Sequence, residues 1–289
     1  MFNTLKLKRP INTWRMSRQC GVIIPHILIF GIGVIIVMPI IWIAFSSFKA
    51  PVAVMSWPPT IIPERFLLDN YMRVFSLVPV ARFFFNSLVL AVLYVLLNVT
   101  FCTMAGYTIA RREFPGRRTL VMLVVAGLMV PFYVRLLPQL QIIRAMELEN
   151  TYLGLVLPMA ITPLGIFLMR QFFLNSVPKE IEESALIDGC SDWGVLLRIV
   201  LPLAKPQMVT LSLLAITWSL EDILWPLMIV NSVEMRPLPI GLMLFLNDTS
   251  REWGPVMALV TIIIVPVVII FLMLQKYFVA GLTEGAVKS

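Results

Sequence analysis

This chain has little charge and almost no reactive chemistry. Asp, Glu, Lys and Arg make up 13% of its 289 residues, where a soluble domain carries roughly 25%. It has one histidine, His26, set in an apolar run and read as an interfacial or packing side chain rather than a proton carrier. That excludes an H-E-x-x-H metal site and leaves no intact Ser-His-Asp set. The three cysteines, Cys20, Cys102 and Cys190, are odd in number and scattered, with no C-x-x-C, so they form no disulfide framework. No G-x-x-x-x-G-K-[ST] occurs, so the chain cannot cradle nucleotide phosphates by that route. Gly189-Cys-Ser191-Asp-Trp-Gly194 comes near a G-x-S-x-G elbow but has the wrong spacing and no base. A membrane enzyme therefore lacks its catalytic residues, and no metal site or bound cofactor is expected.

What remains is apolar: 59% of the residues are hydrophobic and the mean hydropathy is +0.91. A run of about 20 such residues crosses the hydrocarbon core as a helix. Six regions qualify, 22–48, 83–110, 119–138, 152–172, 207–230 and 253–275. Their interior prolines (Pro39, Pro131, Pro158, Pro163, Pro226, Pro266) are tolerated in membrane helices when neighbours satisfy the freed carbonyls. Transmembrane barrel strands alternate over about ten residues, and these unbroken runs do not. The expected fold is all-α, with six transmembrane helices. The first apolar run continues from Val22 to Phe48, too long for a signal h-region, so it is read as an uncleaved span.

Orientation follows the excess of Lys and Arg on the inner side. With the N-terminus inside, the inner segments 1–21, 111–118, 170–206 and 276–289 hold fifteen of the 23 Lys and Arg residues, and the outer loops 49–82, 135–151 and 231–252 hold eight. Both termini are expected in the cytoplasm of a bacterial cell. The net charge of +7 is met by an anionic inner leaflet and needs no nucleic acid.

One inner loop, 173–206, is too long for a simple turn. Pro178 suits a first helical turn, and Glu180, Glu182 and Glu183 follow where carboxylates favour the positive end of a helix. Asp188-Gly189 ends that helix, and Ser191 or Asp192 caps a second one with Trp193, Leu196, Leu197 and Val200 on one stripe. Pro202 and Pro206 bracket the return to the membrane. Physics alone leaves two readings open, a hairpin packed on its own membrane domain or a docking surface for a partner.

Glu183-Ser184-Ala185, then three residues, Gly189, nine residues and Ile199-Val200-Leu201-Pro202 resembles the EAA loop of inner-membrane permeases of binding-protein-dependent ABC importers, with Ser184 in place of the middle Ala. Phe85-Asn86-Ser87, Ala105-Gly106-Tyr107 to Arg111, Ile187-Asp188-Gly189 and the tail from Gln275 to Lys288 are similar to the carbohydrate-importing subgroup, the relatives of the maltose permease G subunit. The likeness runs from about residue 70 to the end. It implies a type I permease core over 83–275 and an ATPase-coupling contact at Glu182, Glu183, Ser184, Ala185, Asp188 and Gly189. Glu183 would offer an acidic contact, Ala185 a small surface for close approach and Gly189 the turn. The implied partners are a second homologous permease, two ATPase subunits holding ATP and Mg, and an extracytoplasmic solute-binding protein.

The fifth apolar region carries Glu221-Asp222, and acidic groups in hydrocarbon cost about 2.5–3.5 kcal/mol each on insertion scales. The resembled family has W-N-x-F-x-x-P-L here, which places Leu220 at the Trp and Glu221 at the Asn. Glu221, Asp222, Trp218, Trp225 and Asn86 are candidates for the substrate path, with aromatic faces for a sugar ring. An anionic wall there would suit neutral or amine-bearing sugars and disfavour phosphorylated ones. The alternative use of Glu221-Asp222 is a proton relay in a secondary transporter. Asn98 is read as interhelical glue, Arg135 as a side chain snorkelling near the outer end of the third span, and Pro237–Leu246 as apolar enough to dip back into the membrane.

Overall fold

The computed structural model describes residues 13–246 and 252–286, and their secondary structure is helical throughout, with no strand among them. Three helices are long and apolar enough to span a bilayer alone: Pro25–Ser46 within α1 (Thr13–Ser46), α3 (Val80–Arg111), and Trp253–Met273 within α14 (Trp253–Ala286). Three bent pairs meet the same test jointly. The basic segment 1–12 and the last three residues of the tail, Val287 and Lys288 among them, lie outside the described residues.

Proline chemistry sets where the other spans bend. The region 119–138 is not one straight helix, because α4 (Arg117–Met129) stops before Pro131 and α5 (Phe132–Ala145) leaves at 109°. A proline ring pushes the preceding residue, here Val130, into extended backbone. The fourth span begins as α6 (Tyr152–Val156) with a 3-10 turn to Met159, then turns by 47° into α7 (Pro163–Asn175). Thr162 caps α7 by accepting the Gly165 N–H at 3.2 Å, with Pro163 at the first helical position.

Below α7 lie α8 (Lys179–Ile187), α9 (Asp192–Val195) running through a π-turn at Leu196–Val200, and α10 (Leu201–Leu203). This second arm meets α11 (Lys205–Glu221) at 72°. The region 207–230 is likewise interrupted, since α11 ends at Glu221 and α12 (Leu224–Ile229) follows. Pro226 is the cause: it has no N–H to give the Asp222 carbonyl four residues back, and its ring crowds that oxygen. Asp222 instead turns its Oδ1 to accept the Trp225 N–H at 3.1 Å.

The long α3 takes part in all three apolar cores. It runs parallel to α7, as successive contacts show: Asn98 with Met159, Gly106 with Met169, Tyr107 with Phe173 and Arg111 with Val177. It runs antiparallel to α11, for Leu90 and Tyr94 share a core with Ala215 while Cys102 and Ala110 share one with Leu211 and Ala204. The loop 49–82 contributes α2 (Asp69–Leu77), and Asn70 of that helix ties down the end of α1 by donating to the Ser47 and Lys49 carbonyls at 2.8 and 2.7 Å. The segment expected to dip back forms α13 (Leu238–Leu246), with Leu238, Ile240 and Phe245 buried within the chain.

Gly106 allows α3 and α7 to approach backbone to backbone: a Cβ there would lie 2.7 Å from Met169 Cβ and 2.9 Å from the Arg170 nitrogen. Gly31 on α1 has nothing within 4 Å. We expect Gly106→Ala to destabilise the folded chain by about 1–3 kcal/mol, whereas Gly31→Ala is neutral or gains up to about 1 kcal/mol of helix propensity. Thermal unfolding of both variants in the same detergent tests the difference.

Candidate functional site

Two places carry the polar features that the sequence singled out: the hairpin at 173–206 and a cavity among the broken spans. The hairpin is built from local rules. The end of α8 closes with the Cys190 N–H on the Ala185 carbonyl at 2.9 Å and the Gly189 N–H on the Leu186 carbonyl at 3.1 Å. This is the Schellman pattern, and it places Gly189 at φ +86°, where a side chain is strained. Ser191 then caps the second arm by accepting the Gly194 N–H at 3.2 Å, and Ser184 turns its hydroxyl back to the Glu180 carbonyl at 2.7 Å.

Glu182 does not face out with its neighbours. It is 7% exposed, and its Oε1 accepts from Arg111 Nε at 2.7 Å while Oε2 accepts from the Tyr107 hydroxyl at 2.9 Å. Arg111 also donates to the Val177 carbonyl at 2.5 Å. The assignment of Glu182 to a partner contact is therefore corrected, because its carboxylate is consumed in fastening α8 to the end of α3. A second, exposed ion pair joins Arg112 to Asp192 at 2.5 Å. Ala185 is half-buried against the core of α3, α7 and α11, so it serves close packing within the chain.

Glu183, Ser184, Asp188 and Gly189 are exposed as expected. Beside them stand apolar groups with no cover, Ile181, Leu186, Trp193 and above all Ile187, which is 85% exposed at the tip. The expected stripe on the second arm divides: Leu196 and Val200 are buried, and Trp193 and Leu197 are exposed.

The cavity has a volume of about 330 Å³, at the lower end of ordinary ligand pockets. Gly127, Leu128 and Val130 line it from the end of α4, and Phe132 and Arg135 from the start of α5. Met159, Thr162, Pro163 and Leu164 come from the α6–α7 break, and Trp218 from the last turn of α11. Asn98 steadies the α6–α7 break by donating to the Met159 carbonyl at 2.7 Å and to Thr162 Oγ1 at 3.1 Å, which fits its reading as interhelical glue.

Of the five candidates for the path, only Trp218 lines this space. Trp225 is 2% exposed and donates its indole N–H to the Gly154 and Leu155 carbonyls at 3.2 Å. Asn86 is fully buried: it donates to the Glu234 and Arg236 carbonyls at 2.7 and 2.9 Å and accepts from the Tyr152 hydroxyl at 2.7 Å. Both are internal fasteners whose polar groups are already engaged. Glu221 is exposed, and Asp222 caps α12 through Oδ1 while its Oδ2 is buried without a partner; neither lines the cavity, so the expected anionic wall is absent from it. Arg135 was read as a snorkelling side chain; its place at the cavity depends on the 109° turn after Pro131, which apolar periodicity does not reveal.

Residues 102–284 match the family described as binding-protein-dependent transport system inner membrane component. The chain is 35% identical to the arabinooligosaccharides transport system permease protein of Halalkalibacterium halodurans, over 94% of this chain and 100% of that one. It is 31% identical to the sn-glycerol-3-phosphate transport system permease protein of Rhizobium meliloti, over 96% and 98%. Among solved structures it resembles a chain of a bacterial ABC transporter involved in the import of the acidic polysaccharide alginate. That likeness has a TM-score of 0.78 at 24% identity, over 93% of this chain and 100% of that one, and bears on the fold.

The two neighbouring glutamates of α8 should behave differently. Glu182→Ala leaves Arg111 buried without its carboxylate and should cost about 3–5 kcal/mol, whereas Glu183→Ala, on the surface, should stay within about 0.5 kcal/mol. Melting temperatures of the purified variants check this, and equal losses would contradict the placement of Glu182.

Proposed function

The chain belongs to the family of binding-protein-dependent transport system inner membrane components, and from that premise we propose that it is one permease half of an ATP-driven importer of a sugar or sugar derivative. The observation that carries the reading is the hairpin: a charged tip with an uncovered apolar face, braced by a buried ion pair onto the central membrane helix. A loop that only connected spans needs neither the uncovered Ile187 nor the brace. On this reading Ile181, Leu186 and Ile187 seat in a groove of an ATPase subunit, and Glu183 and Asp188 supply polar contacts at its rim. Movement of the seated tip is passed through Arg111 and Glu182 to α3. A bistable contact of this kind is what lets nucleotide binding elsewhere bias the conformation of the spans.

The remaining parts of the assembly follow from that role. A second homologous permease completes the path, since the cavity opens on the surface of this chain. Two ATPase subunits carry ATP and Mg, and a solute-binding protein delivers cargo from the opposite side. The hairpin and both termini then lie in the cytoplasm, which agrees with the excess of Lys and Arg there. The arabinooligosaccharide and glycerol-phosphate relatives support a sugar or sugar-like cargo. A proton relay through Glu221 and Asp222 has less support, because one carboxylate is exposed and the other caps α12.

The test is transport by the assembled complex in vesicles. Gly189→Asp places a side chain at positive φ, a strain of about 1–3 kcal/mol. It should cut substrate uptake and substrate-stimulated ATP hydrolysis together by roughly tenfold or more, with the protein still in the membrane. Uptake that persists without any ATPase subunit would overturn the proposal.

A further inference from the structure

The cavity among the broken spans has an electrostatic character that its apolar lining conceals. Arg135 is the one ionisable residue on its wall. Its Nε is buried with no hydrogen-bond partner, and none of the ion pairs among the described residues includes it. A guanidinium cannot shed its proton in a protein, and a buried charged group is costly unless it is met. Neither acid of the fifth apolar region lines the cavity: Asp222 accepts the Trp225 N–H through Oδ1 and leaves its Oδ2 buried without a partner, and Glu221 is exposed.

The rest of the wall has the same bias. Pro163 and Leu164 form the first turn of α7, so the positive end of a 13-residue helix opens on the same space. Trp218 and Phe132 add ring faces suited to the C–H surface of a sugar. No carboxylate is among the residues that line the cavity. Discontinuous helices whose half-helix ends surround a site near the middle of the membrane are a recurrent way to hold a charged solute.

We propose that this cavity is an anion-reading subsite, in which Arg135 binds a carboxylate, phosphate or sulfonate carried by the sugar substrate. The proposal rests on the reading of the cavity as part of the substrate path. The planar fork of Arg135 matches such an oxyanion through two parallel hydrogen bonds, while Trp218 holds the ring behind it. This reverses the preference that the Glu221-Asp222 pair suggested, because neither of those residues lines the cavity.

The experiment uses the assembled importer in phosphatidylcholine vesicles, with and without phosphatidylglycerol. Equilibrium binding is measured for cellobiose, for its uronate counterpart and for glucose 6-phosphate. Expected are a preference of roughly tenfold or more for an anionic probe over cellobiose, loss of that preference in Arg135→Gln, and partial retention in Arg135→Lys. Because the substitution removes a buried charge, Arg135→Gln should fold at least as well as the parent.

Equal affinity for charged and neutral probes, unchanged by Arg135→Gln, overturns the proposal. So does an effect of Arg135→Gln that follows the phosphatidylglycerol content, which assigns Arg135 to a lipid phosphate. Loss of the second permease from the purified Arg135→Gln complex also overturns it, by assigning the charge to a partner carboxylate. Leu128→Cys separates this proposal from the reading beneath it. If a membrane-impermeant thiol reagent reaches that position from neither side in any nucleotide state, the path reading itself fails. If the reagent reaches it but no anion preference exists, only the anion proposal fails.

Discussion

The buried pair of Arg111 and Glu182 is the constraint on which the seating of the hairpin against α3 depends. It joins the end of α3 to the first arm of a hairpin whose second arm is held by the buried Val195, Leu196 and Val200. Removing two charges from water is expensive, and the attraction between them repays that cost only when the geometry is good and the remaining lone pairs are satisfied. Here both carboxylate oxygens are engaged, one by Arg111 and one by the Tyr107 hydroxyl, and Arg111 spends another donor on the Val177 carbonyl. Such a junction fixes direction as well as position. α8 cannot swivel against α3 without breaking charged hydrogen bonds, so force at its tip is carried to the spans.

Elsewhere the architecture is governed by missing backbone donors. Pro131, Pro163 and Pro226 each stand where a span changes direction, and each break brings side chains to a point that straight helices would seal. The cost of interrupting backbone hydrogen bonds in a membrane is met by side chains: Thr162 caps α7, Asp222 caps α12 and Asn98 holds the carbonyl of Met159. Among the described residues, some interior polar groups are such fasteners, and others, Arg135 Nε and Asp222 Oδ2 among them, are buried without a partner. Telling them apart requires knowing which of their hydrogen bonds are already made.

Much of this was legible in the sequence. Apolar run length marks where the long helices and bent helix pairs lie, and residue type alone gives a helix end at Asp188-Gly189 and a cap at Ser191 or Asp192. The prolines were noted as tolerated rather than as the cause of the breaks, because tolerance and breakage leave the same mark on a hydropathy pattern. Trp225 and Asn86 were placed on the path because aromatic and amide groups suit a sugar, yet the same groups suit a carbonyl on a neighbouring helix, and here they are used for that. Glu182 looked like one more surface acid because its partner lies 71 residues back along the chain. Periodicity reports which face is apolar, and it is silent on which polar group finds a distant mate.

The first helix has a different relation to the rest. Ile27, Ile29, Phe30 and Ile35 are each more than half exposed, and its attachments to α14 and to Asn70 lie toward its C-terminal end. A membrane helix held by its neighbours at one end only can tilt to match the local bilayer thickness at a cost of fractions of a kcal/mol per ångström. In a thinner or thicker membrane α1 therefore absorbs the mismatch. The packed helices behind it, and the cavity they enclose, keep their shape.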